Sequence, residues 1–247
     1  MKKLLFILLT ITIIGCSSKN NNLFETIEYD CKKIDETTDL LFEFNAEIEM
    51  PTKAFCKSHK LLQDSIISTV FGSEFINNSN KKILKAYSDS SFNKFKRVCE
   101  ETYGNNPIEP TDTFKFKINI IGNILYYDST IVSYQRLLHT YIDDAPGMTT
   151  KTNYVFNINT GRQLTEEDIF GKGFERNVNR LLIEKTDILR AEGKLPQENE
   201  FYNNWDVVSN ANFALTDSSV IYTFNPYEIA PYWYGIIDVE IMRPLPQ

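Results

Sequence analysis

The chain has 247 residues, of which 42% are apolar and 24% charged, with 26 Lys and Arg against 33 Asp and Glu. That profile suits one or two globular domains and excludes a disordered or collagen-like chain, and 10 Gly with 9 Pro leave no low-complexity scaffold. A net charge of −7 argues against nucleic acid as a partner, because phosphate binding needs a surplus of Lys and Arg.

Met1, Lys2 and Lys3 make a short basic start, and residues 4–14 are an apolar run interrupted only by Thr10 and Thr12. A helix needs about 20 residues to cross the hydrocarbon core, so residues 1–15 read as a signal peptide and not as an anchor helix. The run ends in Ile13-Ile14-Gly15-Cys16, which resembles the lipobox of bacterial lipoproteins. The resemblance implies cleavage before Cys16 and acylation of that cysteine, and a plain secretory signal with a chance cysteine is the alternative. Two or three acyl chains give lasting attachment where one is marginal. Residues 16–22 then form a lipidated polar tether. The expected location is the cell envelope, with the folded part held at a membrane on its periplasmic or outer-surface side.

Cys31, Cys56 and Cys99 remain in the mature chain. One disulfide plus a free thiol, or three small buried side chains, both fit these positions. No Cys-x-x-Cys spacing supports a zinc ribbon.

Weak alternation over 26–31 and clear alternation over 41–50 predict strands, the second stopped by Pro51. Ser58 is placed to cap a helix carrying Leu61, Leu62, Ile66, Ile67, Val70 and Phe71 on one face and ending at Gly72. A second helix is expected over about 91–103, with Phe92, Phe95, Val98 and Cys99 inward and Gly104 as its stop. From Thr113 the period returns to two. Strands are predicted at 113–120, 124–127, 130–141 and 149–158, antiparallel because their connections are too short for crossovers. Residues 157–161 supply a turn, with Gly161 free to take positive φ. Thr165 to Asp168 reads as a capping box with an acidic first turn. A helix bearing Phe174, Val178, Leu181, Leu182, Lys185, Ile188 and Leu189 closes at Gly193. A hairpin pairs 213–215 with 220–224, and a last strand lies near 236–241. The expected class is α+β: antiparallel sheets with helices packed on one face, two small units in one compact body.

Two stretches carry a family resemblance. Tyr154-Val155-Phe156-Asn157-Ile158-Asn159-Thr160-Gly161-Arg162-Gln163-Leu164-Thr165, continuing to Asp168-Ile169-Phe170, resembles one signature. Phe213-Ala214-Leu215-Thr216 and Phe224-Asn225-Pro226-Tyr227-Glu228-Ile229-Ala230-Pro231-Tyr232 resemble a second. Both are similar to the C-terminal domain shared by RsiV-type anti-sigma factors and the accessory region of PdaC-type peptidoglycan deacetylases. The match covers about 150–241, and the preceding half is similar in layout to the usual N-terminal partner domain. The expected division is therefore 23–145 for an N-terminal deacetylase-accessory-like domain and 146–247 for the RsiV-like one. In the anti-sigma relatives this region binds lysozyme, and in the deacetylases it accompanies a separate catalytic domain. Here only Met1 to Lys3 precede the apolar run, so no sigma-binding region is expected, and no deacetylase domain is expected before Gln247. The Gly-Gly-Ala-His loop of the family is replaced by Asp143-Asp144-Ala145-Pro146-Gly147, so any role of that histidine does not carry over.

Catalytic chemistry has little to stand on. His59 and His139 are the two histidines, each expected on the surface or in packing, and no Gly-x-Ser-x-Gly, His-Glu-x-x-His or phosphate loop occurs. Asp143-Asp144 falls far short of the six to eight oxygens of a calcium site and reads as a solvated turn. Carboxylate pairs for glycan hydrolysis are not singled out by any spacing. No catalytic residue, metal ligand or cofactor is expected. Two readings stand for the aromatic stretch after Phe224. It is a platform for a glycan or protein ligand, or a pre-organised connection in which Tyr227 plugs the core and Glu228 satisfies local amides. The candidate ligand-binding residues are Tyr141, Asp143, Asp144, Tyr227, Glu228, Tyr232 and Trp233. The expected function is a lipid-anchored, non-enzymatic binding protein for a cell-wall glycan or a wall-active protein such as lysozyme. The alternative is a structural or assembly lipoprotein contacting other envelope proteins, with a carbohydrate-active hydrolase or deacetylase as the reading ranked after it.

Overall fold

The computed structural model describes residues 23–35, 39–76, 80–103, 114–143, 145–195 and 207–243. The signal peptide, Cys16 with its tether, Gly104 and Asp144 lie outside the described residues. β1 (Phe24–Asp35) and β2 (Leu40–Pro51) form an antiparallel hairpin. Leu40, Phe42, Phe44, Ala46, Ile48 and Met50 send every second side chain of β2 into the core, as its alternation predicts.

α1 (His59–Val70) buries Leu62, Ile66, Ile67 and Val70. Leu61, expected on that stripe, lies a hundred degrees round the helix from Leu62 and is exposed. Ser58 stands at the N-cap without a capping bond from its side chain. α2 (Asn80–Tyr103) begins a full three turns before the expected start near 91. Ser88-Asp89-Ser90-Ser91 looks like a break, but these polar groups are used against β1. Ser88 is buried with its hydroxyl 3.0 Å from the Cys31 Sγ, and Asp89 accepts from Lys33 at 2.6 Å. Cys99 is buried as expected, whereas Val98 is exposed.

These helices form the crossover that lets β3 (Phe114–Tyr127) lie parallel to β2, the one parallel pair in a sheet ordered β1-β2-β3-β4-β5. β3 does not stop at Gly122-Asn123. It runs on through a bulge near Ile124, so the separate strand expected at 124–127 is its continuation. Gly122 is needed for space, because a Cβ there would sit 2.0 Å from the Tyr134 Oη.

β4 (Ile131–Ile142) and β5 (Met148–Asn157) complete the sheet in antiparallel order. Each contains four consecutive buried residues, Ile131 to Tyr134 and Asn153 to Phe156. Such a run marks a strand covered on both faces. Val132, Tyr134, Tyr154 and Phe156 join the core under α1 and α2, while Ile131 and Val155 join a second core. That second core lies under β6 (Phe213–Leu215), β7 (Ser219–Phe224) and β8 (Ile237–Met242), with α3 (Glu166–Phe170) and α4 (Phe174–Ala191). β5 follows the expected boundary at 145/146, yet it is the edge strand of the five-stranded sheet. Gly161 has φ +70 and packs its bare Cα on α1, where a Cβ would meet the Leu61 carbonyl at 2.7 Å. The Thr165–Asp168 capping box forms as read from the sequence, although α3 ends at Gly171 and α4 starts afresh. Cys31, Cys56 and Cys99 are free thiols.

Candidate functional site

The second signature supplies β6 and the connection between β7 and β8, and the residues of that connection divide into two groups. Asn225 is the first scaffold residue. Its Oδ1 accepts from the Lys151 N–H at 2.7 Å and its Nδ2 donates to the Lys151 carbonyl at 3.1 Å. Lys151 lies on the open edge of β5, so one carboxamide satisfies two ladder groups that have no partner strand. Asn212 does the same from the start of β6, accepting from Asn153 N–H at 2.8 Å and donating to Lys151 O at 2.9 Å. Behind them runs a polar chain. Gln135 donates to Asn153, Asn153 donates to Thr223 at 2.8 Å, and Thr223 donates to Asp238 at 2.7 Å. Asp238 also pairs with the Lys151 ammonium.

Glu228 holds Asn225 in place, accepting from its backbone N–H at 3.0 Å and its Nδ2 at 3.3 Å. This is the local-amide role read from the sequence. The Tyr232 hydroxyl donates to the Gly147 carbonyl just ahead of β5. Gly147 in turn lies against His139, whose Nδ1 is 2.8 Å from the Thr149 hydroxyl.

Tyr227 and Trp233 form the other group. Tyr227 does not plug the core: it is 56% exposed, because its backbone takes φ +72 and swings the ring outward onto Tyr232, with centroids 5.7 Å apart. A left-handed tyrosine is strained, and here the turn bond from its N–H to Ala230 O maintains it. Trp233 is 76% exposed in a short helical turn over Tyr232–Tyr234. Beneath it lies a recess of about 260 Å³ lined by Thr149, Pro226, Tyr232, Trp233, Gly235 and Ile236. The structure therefore brings Tyr227, Glu228, Tyr232 and Trp233 together.

Tyr141 and Asp143 lie elsewhere. Tyr141 borders a separate recess with Glu43, Lys115 and Lys117, and the Asp143 N–H is bound to the Lys115 carbonyl at 2.7 Å. Sequence reasoning missed Asn212, Asn225 and Thr149, since asparagine is so common in this chain that no single one stands out. A cleft of about 520 Å³ beside α3 contains Arg162 and Arg243, but both are engaged. Arg162 makes a bidentate pair with Asp168 at 2.8 and 2.9 Å, holding that carboxyl well below its usual range. Arg243 lies over the Tyr126 ring. Among the described residues no cluster of three or more His, Cys, Asp and Glu is placed to hold a metal, and no helix is long and apolar enough to cross a membrane.

No curated protein matches the chain. Two crystal structures share its fold. A member of the DUF3298 family from Bacteroides fragilis superposes with a TM-score of 0.74 at 18% identity, over 89% of each chain. A DUF3298 family protein from Pseudomonas aeruginosa gives 0.58 at 15% identity, again over 89% of each. Both likenesses extend across the five-stranded sheet as well as the second unit. α4, β6, β7, β8 and the aromatic connection fall inside the sequence match, in which residues 167–243 are similar to the DUF3298 family, described as a protein of unknown function.

Proposed function

We propose that the chain is a lipid-anchored, extracytoplasmic binding protein without catalytic activity, built like the RsiV-type and PdaC-accessory domain pair. Its ligand is a cell-wall glycan or a wall-active protein such as lysozyme, and it docks on the ledge made by Tyr227 and Trp233. One observation carries this reading. Asn225, Glu228 and Tyr232 account for the architecture of the connection, whereas the two most exposed aromatics in it, Tyr227 and Trp233, make no side-chain hydrogen bond to another described residue. Large rigid rings on a pre-organised turn give contact area at small entropic cost. An acidic chain also attracts a basic partner, so binding to lysozyme weakens as salt is raised. Interferometry of the chain against hen lysozyme and against muropeptides, at low and physiological salt, tests the proposal. Saturable binding to one of them, lowered about tenfold by Trp233→Ala, is the expected result. Silence towards both, or binding indifferent to Trp233→Ala and Tyr227→Ala, overturns it.

A further inference from the structure

The second sheet packs on the five-stranded sheet against β3, β4 and β5, and one polar row of side chains runs across all five strands. The register aligns Asp30, Asn45, Asn119, His139 and Thr149, one from each strand in sheet order. All five point away from α1 and α2, since their neighbours Phe44, Ala46, Ile118 and Ile120 fill the core on the other side. Asn45 and Asn119 are half-buried, and neither carboxamide hydrogen-bonds to another described residue. Both carboxamides keep access to solvent, so their donors and acceptors are open to an incoming ligand. The row ends at Thr149, whose hydroxyl contacts His139 and whose side chain also lines the recess under Trp233. Polar track and aromatic ledge are thus continuous.

We propose that this row is a binding track for a linear glycan, with the terminal sugar stacked at Trp233 and successive sugars lying across β5, β4, β3 and β2. The proposal rests on the ledge reading above and names its ligand class. From β5 to β2 are three strand spacings of about 4.8 Å, a track of roughly 14 Å, long enough for two or three sugar rings in line. A carboxamide donates and accepts from one head group, which suits hydroxyls and N-acetyl groups that also do both. The row is neutral at its centre, so it has little to offer a charged ligand. A basic protein would instead be drawn to Glu28 and Glu47, paired in the next row and both exposed.

Calorimetry of the full chain in detergent, with chito-oligosaccharides and peptidoglycan strands graded by length, decides the matter. Affinity is expected to rise about tenfold from the disaccharide to the longer oligomers. The double variant Asn45→Ala, Asn119→Ala is expected to lose that gain while keeping disaccharide affinity within about twofold, and Trp233→Ala to weaken every length. Thermal melting of the double variant close to that of the unaltered protein shows that it is folded. Equal affinity at all lengths, with Trp233→Ala still damaging, overturns the track and leaves the ledge standing. No saccharide binding at any length overturns the track, and lysozyme binding lost on replacing Glu28 and Glu47 assigns this face to a protein. Silence towards lysozyme as well removes the ledge too.

Discussion

Tyr227 pairs an unfavourable backbone with an exposed ring, and the two properties separate by substitution. Glycine adopts positive φ without the Cβ penalty that alanine retains, so Tyr227→Gly should be more stable than Tyr227→Ala by about 1 kcal/mol. Both variants should lose ligand affinity alike, and denaturant unfolding beside a binding titration reads the two effects apart. Equal stability of the two variants would show that the turn holds no strain. Glu166 is a different case. It is buried beneath Tyr222, whose hydroxyl donates to it at 2.6 Å. Burial pushes its carboxyl above the ordinary value, and the tyrosine bond opposes that only in part. An acid whose folded pKa is raised costs nothing below its unfolded pKa; its cost grows as pH climbs from the unfolded to the folded value and is constant above that. The stability of Glu166→Gln relative to the parent should therefore increase as the pH is raised above about 4. A difference that stays flat above that pH, measured by thermal melts, excludes the effect.

At the scale of elements, asparagine side chains bridge the two sheets beside the apolar contacts of Ile131 and Val155. Removing the carboxamide in Asn225→Ala frees the N–H of Lys151, while its C=O keeps the bond from Asn212, and the expected cost is about 2 kcal/mol. The sharper readout is hydrogen exchange: the Lys151 amide should lose protection while Lys32 and Ile48, far from the clamp, keep theirs. Loss of protection throughout would mean global destabilisation instead. Elements of this kind also show where the sequence is readable. β2 is legible because one face is wet and the other dry, which writes a period of two into the chain. The Thr165 capping box and the β6–β7 hairpin are legible because their bonds are local. The first half of α2 is not, because Ser88 and Asp89 serve β1, more than fifty residues away. The continuation of β3 past Gly122 is hidden likewise, since the reason for that glycine is a tyrosine on the next strand. The site was half-readable. Glu228 performs the role its position suggests, but a left-handed Tyr227 sends outward a ring whose chemistry alone argues for burial.

For the whole molecule, β4 and β5 are the shared wall between two cores. Val155 and Phe156 are adjacent in sequence and belong to opposite cores. Truncating either, Val155→Ala at about 2 kcal/mol or Phe156→Ala at about 4 kcal/mol, should shift one common transition. Near-ultraviolet dichroism and tryptophan fluorescence should report the same midpoint in each variant. Two separated transitions would show that the cores unfold independently.

The asparagine clamp has a consequence in time. A chain is made from its N-terminal end, so β5 exists before Asn212 and Asn225 have been added. At 5–20 residues per second the gap from Asn157 to Asn212 lasts roughly 3–11 s. Through that interval the nascent sheet presents an unguarded strand, ready to zip onto a neighbouring copy. Nascent copies crowded together, as on a polysome, would be most exposed to this error. A holdase that occupies β5 briefly would then raise yield without altering the finished protein.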